Sequence, residues 1–251
     1  MSRLCSCRKT INMQPAKTNK SCLYRWQRIH PALIVGHVLT VKGRRAAPMS
    51  LLAQQSAYCG SCGLMTLAMI LVAFGLAKSY ALTEMSRRKF GVPSDVWREF
   101  HEVYFSGVEP RDFVERIHRL NLPLIVTARY RDASNLDRFA IDNLAKGELV
   151  ALSFKSVQTR RTNHWALGIG SEGQQIGRVA KADTLLLLDP SAVEPVFRAF
   201  NSRLKISETS RSTWGAKSTG KPKPITWMYD STEWMPEQVR LTSAIRFRLS
   251  G

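Results

Sequence analysis

The stretch "SAYCGSCGLMTLAMIL" (residues 56–71) sets two cysteines three positions apart, directly before a long apolar run. From Gly63 to Ala77 few side chains are branched at Cβ, with Thr66 the one polar residue and Lys78 following. Such a segment forms a helix that is apolar nearly all round and therefore belongs in a core. It is too short for a membrane span. Cys62 opens this helix. A thiolate there is stabilised by the free N–H groups and the helix dipole. Four readings follow: a nucleophile on a helix, a redox dithiol, half of a zinc site, or the edge of a core helix. The rest of the chain must supply the partners that choose among them.

Downstream, "PSDVWREFHEVYF" carries a Pro-Ser-Asp start signal and aligns Val96, Phe100 and Val103 on one face. "EPRDFVERIHRLN" repeats the pattern with Phe113, Ile117 and Leu120, and "LPLIVTARY" reads as a strand. "NLDRFAIDNLAKGE" reads as a helix ended by Gly147. Then the period changes. "LVALSFKS", "HWALGIGS", "QQIGRVAK" and "TLLLLDPS" read as successive antiparallel strands. Residues 208–226 read as a long polar loop, and "VRLTSAIRFRL" as a closing strand. Helices first and sheet second make an α+β arrangement.

The chain has 251 residues and a formal net charge of +18, which favours acidic partners and says nothing about fold. The first acidic residue is Glu84, so the basic excess begins at the N-terminus. Residues 1–48 read as a basic, poorly ordered extension and 49–251 as the domain, with a basic C-terminal elaboration. The acid-free start is also compatible with a transit peptide, or with initiation at Met13 or Met49. The cysteines number five and all lie in the first 62 residues, which argues against a secreted disulfide framework. A reducing, cytoplasmic location is expected, with no transmembrane segment.

A nucleophilic thiol needs a base, which can be distant in sequence. Of the five histidines, His30 and His37 lie in the extension, and His101 and His118 inside amphipathic helices. His164 is different, because it opens the strand "HWALGIG" after the turn-like "RRTN". An imidazole in turn needs an orienting acceptor, and Asp189 ends "TLLLLDPS". Asp-Pro is also a common strand-ending turn. The order Cys, His, Asp favours the partner role.

These residues resemble a known group. "CGLMTLAMIL" is similar to the nucleophile segment of the papain-like peptidases that remove double-glycine leaders from bacteriocins, and more distantly to phytochelatin synthases. "GELVALSFKS" followed by "NHWALGIG" resembles their strand pair bearing the catalytic histidine, and "LLLLDPS" their strand ending in Asp-Pro. The likeness covers roughly residues 52–192. It implies a papain-like fold, a peptide substrate and no cofactor or metal. Cys62 would be the nucleophile, His164 the general base and acid, and Asp189 the orienter. A glutamine before the cysteine helps form the oxyanion hole in that group. Gln55 lies seven before Cys62, and Gln54 five before Cys59. Only Cys62 gives the "CG...LAMI" register, so Gln55 with Cys62 is preferred, with Cys59 kept as the alternative nucleophile. Gly63, which lets a substrate backbone come close, and Trp165 are the candidate substrate contacts.

The rivals are specific. "YCGSC" is similar to a thioredoxin-type dithiol, but that fold needs a strand just before the motif and parallel units around it. A zinc site would have to recruit Cys5, Cys7 or Cys22 from the distant N-terminus. A basic nucleic-acid binder rests on charge alone, with no recognised module. A catalytically inactive peptide-binding module shares every motif with the enzyme. Weak contact of the basic termini with nucleic acid or an anionic surface fits either reading. Hydrolase and transpeptidase share one acyl-enzyme and differ in the acceptor.

Overall fold

The computed structural model describes residues 23–41, 49–56, 59–158, 163–211, 225–233 and 235–250. Four short strands come first: β1 (Leu23–Ile29), β2 (Leu33–Val35), β3 (Leu39–Val41) and β4 (Met49–Ser50). The helical part is α1 (Cys62–Ala73), α2 (Ser79–Thr83), α3 (Val92–Phe100) and α4 (Pro110–Arg119). Next come β5 (Leu124–Tyr130), α5 (Leu136–Ala145), β6 (Leu149–Ser156), β7 (Asn163–Ile176), β8 (Val179–Leu188), β9 (Ser202–Ile206), α6 (Glu208–Arg211), β10 (Trp227–Ser231) and β11 (Glu237–Leu249).

The local signals explain the helices. α1 is buried along almost its whole length, as its all-round apolar sequence requires. A proline sits in the first turn of α3 and of α4, where its missing N–H costs nothing. Phe100 of α3 and Phe113 of α4 meet edge to face, with ring centres 5.9 Å apart.

The expected papain-like α+β fold is overturned. Among the described residues 38% are strand and 28% helix, and six antiparallel strands close into a barrel. The strands run β7-β6-β11-β10-β9-β8, and β7 pairs again with β8. Long, bulged strands explain the closure. β7 has 14 residues and β11 has 13, and their ladders shift register at Gly168/Gly170, Glu172/Gly173 and Leu241/Ser243. A bulge bends a strand and raises its twist, so one strand can pair with different neighbours along its length. The separate strand read in "QQIGRVAK" is instead the hairpin end where β7 turns into β8 at Gly177-Arg178, with Gly177 at positive φ. β9 and β10 were not anticipated at all. In the expected 208–226 loop, Glu208–Arg211 is helical, and 212–224 lies outside the described residues.

The barrel wall is apolar on both faces. Val150, Leu152, Phe154, Ala166, Leu185 and Leu187 fill the interior, joined by Leu136, Ala140, Ile141 and Leu144 of α5. The alternate residues Leu149, Ala151, Trp165, Leu167, Leu186 and Leu188 pack against α1 and its neighbours. Double-sided burial is why these strands read as continuous hydrophobic runs.

Part of the segment before residue 49 is structured. β1 pairs with β7 from Leu23↔Ile176 to Ile29↔Gly170, so residues 23–41 belong to the folded body. The pairing edge offered by the second half of β7 recruits them. Residues 1–22 lie outside the described residues. No helix among the described residues is long and apolar enough to cross a membrane.

Candidate active site

Cys62 is the first residue of α1 and is only 6% exposed. Ser61 occupies the N-cap position but makes no side-chain cap. Its hydroxyl lies 2.8 Å from the Cys59 sulfur instead. The first turn holds no acidic residue. The positive end of the helix therefore acts on Cys62 without a competing side chain. The Cys62 Sγ sits 3.9 Å from the Gly60 carbonyl oxygen.

A second segment holds this turn in place. The Gly60 N–H donates to the Phe105 carbonyl at 3.1 Å. A Cβ on Gly60 would stand 2.5 Å from the Gly107 nitrogen, so only glycine fits there. A Cβ on Gly63 would stand 2.5 Å from Val108 Cγ1. Trp165 Nε1 donates to the Val108 carbonyl at 3.0 Å and is 1% exposed. Gly63 and Trp165, expected as substrate contacts, are thus internal packing partners. The α1 start and β7 pack against each other through Gly63, Val108 and Trp165.

His164 is the second residue of β7, opposite Phe154 of β6. Its side chain is 13% exposed. Nε2 meets Asp189 Oδ1 at 2.7 Å. The Cys62 side chain also interacts with the ring, and the Ser191 hydroxyl lies 3.4 Å from Nε2. Burial lowers the His164 pKa, but the Asp189 charge and hydrogen bond, with the Cys62 contact, outweigh burial and push it up to about 10. The protonated form of His164 is thus favoured beside the Cys62 side chain.

Asp189 follows β8 and is completely buried. Burial raises its pKa, yet the His164 charge and the bonds from His164, Ser191 and Tyr229 bring it below the usual carboxylate range. Oδ1 accepts from the Ser191 N–H at 2.7 Å and from the Ser191 hydroxyl at 2.6 Å. Oδ2 accepts from the Tyr229 hydroxyl. The Asp189 backbone is fixed by Asn201, whose Oδ1 accepts from the Asp189 N–H at 2.7 Å and whose Nδ2 donates to the Asp189 carbonyl at 2.9 Å. A buried carboxylate held by this many donors stays ionised.

Gln55 ties the segment before the cysteines to the same corner, its N–H donating to the Pro190 carbonyl at 2.9 Å. Its Oε1 is buried and has no hydrogen-bond partner among the described residues. Gln54 is exposed and reaches the Ala192 carbonyl at 3.4 Å. Cys59 is half-buried, and its sulfur donates to the Ser56 carbonyl at 3.3 Å rather than facing His164.

Cys62, His164 and Asp189 therefore converge. Sequence reasoning missed Ser191, Asn201 and Tyr229. Ser191 stands in "DPS", where a hydroxyl two after an aspartate commonly bonds back to it. Tyr229 is 40 positions from Asp189 and meets it because β10 lies one strand beyond β9, the neighbour of β8, in the sheet. Among the described residues no group of three or more His, Cys, Asp or Glu could hold a metal ion. Cys5, Cys7 and Cys22, which a zinc site would need, lie outside them. No known family model matches the chain, and no curated protein matches it.

Proposed function

We propose that the protein is a cysteine-dependent hydrolase that cleaves a peptide or amide bond through an acyl-enzyme thioester. One observation carries this reading: His164 is held between a buried, ionised Asp189 and the side chain of Cys62 at the first residue of α1. The peptide class comes from the likeness of "CGLMTLAMIL", "NHWALGIG" and "LLLLDPS" to double-glycine leader peptidases. That likeness is one of chemistry, set on a different fold.

In the first step the Cys62 thiolate attacks the substrate carbonyl carbon, and the carbonyl π electrons move to oxygen. The Cys62 N–H and the Gln55 amide are the donors that receive this oxyanion. Turning the Gln55 amide by half a rotation places Nε2 at its buried, unpartnered position. Collapse breaks the C–N bond, and the His164 imidazolium gives its proton to the departing amine. Neutral His164 then takes a proton from water, whose oxygen attacks the thioester. The C–S bond breaks, and carboxylic acid and thiolate are restored. Asp189 keeps the ring oriented and stabilises its charged form throughout.

The test is labelling with an electrophilic thiol probe at neutral pH, followed by mass mapping. Cys62 should react far faster than Cys5, Cys7 or Cys22, and His164→Ala should remove that advantage. Cys62→Ala and His164→Ala should each abolish turnover, while Cys59→Ala keeps most of it. Equal labelling of all five cysteines would remove the case for an activated thiol. Loss of turnover in Cys59→Ala as well as Cys62→Ala would favour a redox pair. Contact of the basic termini with anionic surfaces is a secondary proposal, supported by the net charge of +18. Its affinity should fall steeply with added salt.

A further inference from the structure

We propose that Cys59 is the resolving thiol of Cys62: hydrogen peroxide closes a Cys59–Cys62 disulfide, and this protects the nucleophile from irreversible oxidation. The proposal rests on Cys62 being an activated thiol. Cys59 has no place in the triad, yet its surroundings are not those of an inert core cysteine. The Ser61 hydroxyl lies 2.8 Å from its sulfur, the Ser56 carbonyl accepts from it at 3.3 Å, and the Tyr104 side chain also interacts with it. Burial raises the Cys59 pKa, and the Ser61, Ser56 and Tyr104 hydrogen bonds outweigh it and bring the thiol below its ordinary value. The Tyr104 phenol moves the opposite way, raised by burial and by the Cys59 charge.

The two sulfurs share one short piece of backbone. Cys59 Sγ meets the Ser61 hydroxyl, and Cys62 Sγ lies 3.9 Å from the Gly60 carbonyl. Both thus lie against the Gly60-Ser61 link, which the Phe105–Gly107 segment holds from outside. Both are free thiols in this structure. Cys59 is the more exposed of the two.

The chemistry balances with peroxide as the oxidant. The Cys62 thiolate attacks one peroxide oxygen, the O–O bond breaks, and hydroxide leaves and takes a proton from solvent. Cys62 is now the sulfenic acid. The Cys59 thiolate attacks the Cys62 sulfur, the S–O bond breaks, and the departing hydroxide takes the His164 proton to become water. Two thiols have lost two electrons, and peroxide has become two waters. A thiol such as dithiothreitol reverses the disulfide by exchange. Without Cys59, further peroxide carries Cys62 to the sulfinic acid, which such thiols do not reduce.

The experiment treats the full chain with hydrogen peroxide and reads the mass of the peptide that contains both cysteines. The expected product is lighter by two hydrogens and returns to its original mass with dithiothreitol. Cys59→Ser should instead give sulfinic acid at Cys62, with peroxide-free turnover retained. Tyr104→Phe, which removes one donor, should slow disulfide closure and raise the sulfinic fraction. Sulfinic acid at Cys62 in the unaltered chain, or Cys59 joined to Cys5, Cys7 or Cys22, would overturn the proposal. The mass readout does not depend on hydrolysis. A disulfide that forms in a protein whose turnover survives Cys62→Ala would sink the hydrolase reading and leave this one standing.

Discussion

Tyr229 donates its hydroxyl to Asp189 Oδ2, although 40 positions separate them in the chain and β9 lies between their strands in the sheet. Both are buried at the end of the barrel where His164 sits. Burial and the Asp189 charge raise the Tyr229 pKa, so the phenol remains a donor across any working pH. Oδ1 is already held by His164 and Ser191, so Tyr229 holds the remaining oxygen.

Tyr229→Phe should therefore leave a buried carboxylate oxygen short of a donor. The expected loss of stability is about 1–3 kcal/mol by urea unfolding. Turnover should fall roughly tenfold with KM little changed, because the tyrosine acts through Asp189 and not on substrate. The acid limb of the pH profile should move upward, since Asp189 loses one bond that favours its charged form. An unchanged profile would make Tyr229 a packing residue only.

The His164–Asp189 pair sets a pH dependence whose sign can be stated. His164 is raised from 6.5 to about 10 on folding. Its contribution to stability is full below pH 6.5 and is lost as pH rises from there through about 10. Asp189 is lowered from 3.8, so its contribution is present above that value and is lost as pH falls through the depressed one. Unfolding midpoints measured across pH should decline on the alkaline side, and His164→Gln should flatten that decline. A wild-type curve that stays level from pH 6.5 to about 10 would contradict the raised imidazole.

Helices α1, α3, α4 and α5 and the convergence of Cys62, His164 and Asp189 were legible because their signals are local, while the short α2 and α6 were not. An apolar run of helical composition placed Cys62 at a helix start, and a turn before "HWALGIG" placed His164 at a strand mouth. The barrel was not legible, for a physical reason. Closure depends on β7 and β11 being long and bulged, and a bulge leaves no clear mark in a sequence of Gly, Ser and Glu such as "LGIGSEGQQI". "SRLKI" and "WMYDS" are five residues each and gain their apolar partners only within the sheet, so they carry no strand signal of their own. Gly63 and Trp165 looked like substrate contacts because nearness to Cys62 and His164 is legible, while the filling of the space between them is not.

Gly60 and Gly63 flank the same turn but meet different neighbours. At Gly60 an added Cβ runs into backbone, 2.5 Å from the Gly107 nitrogen and 2.7 Å from the Phe105 oxygen. At Gly63 it meets a side-chain methyl, Val108 Cγ1, at 2.5 Å. Backbone cannot rotate away as a valine methyl can. Gly60→Ala should thus cost more stability than Gly63→Ala, about 1–3 kcal/mol against less. Val108→Ala should restore most of what Gly63→Ala loses, and should do nothing for Gly60→Ala. Thermal unfolding of the four variants decides it, and equal losses at the two glycines would show that both sites yield in the same way.

Gln55 separates an oxyanion donor from a structural amide. Its backbone N–H already holds the Asp189–Pro190 corner, and that bond survives any side-chain change. Its side chain ends in a buried atom without a partner among the described residues, a cost that a protein normally avoids. Under the proposed mechanism, with the amide turned so that Nε2 takes that place, the cost is accounted for, because the donor's partner arrives only in the reaction. Gln55→Ala should lower turnover by ~100-fold or more, the usual range for one oxyanion donor. Stability should stay level or rise slightly, since an unsatisfied buried group is removed. The rate at which a small thiol probe labels Cys62 should not change, because thiol activation runs through His164 and not through Gln55. Slower labelling together with lost stability would instead assign Gln55 to holding the site's shape.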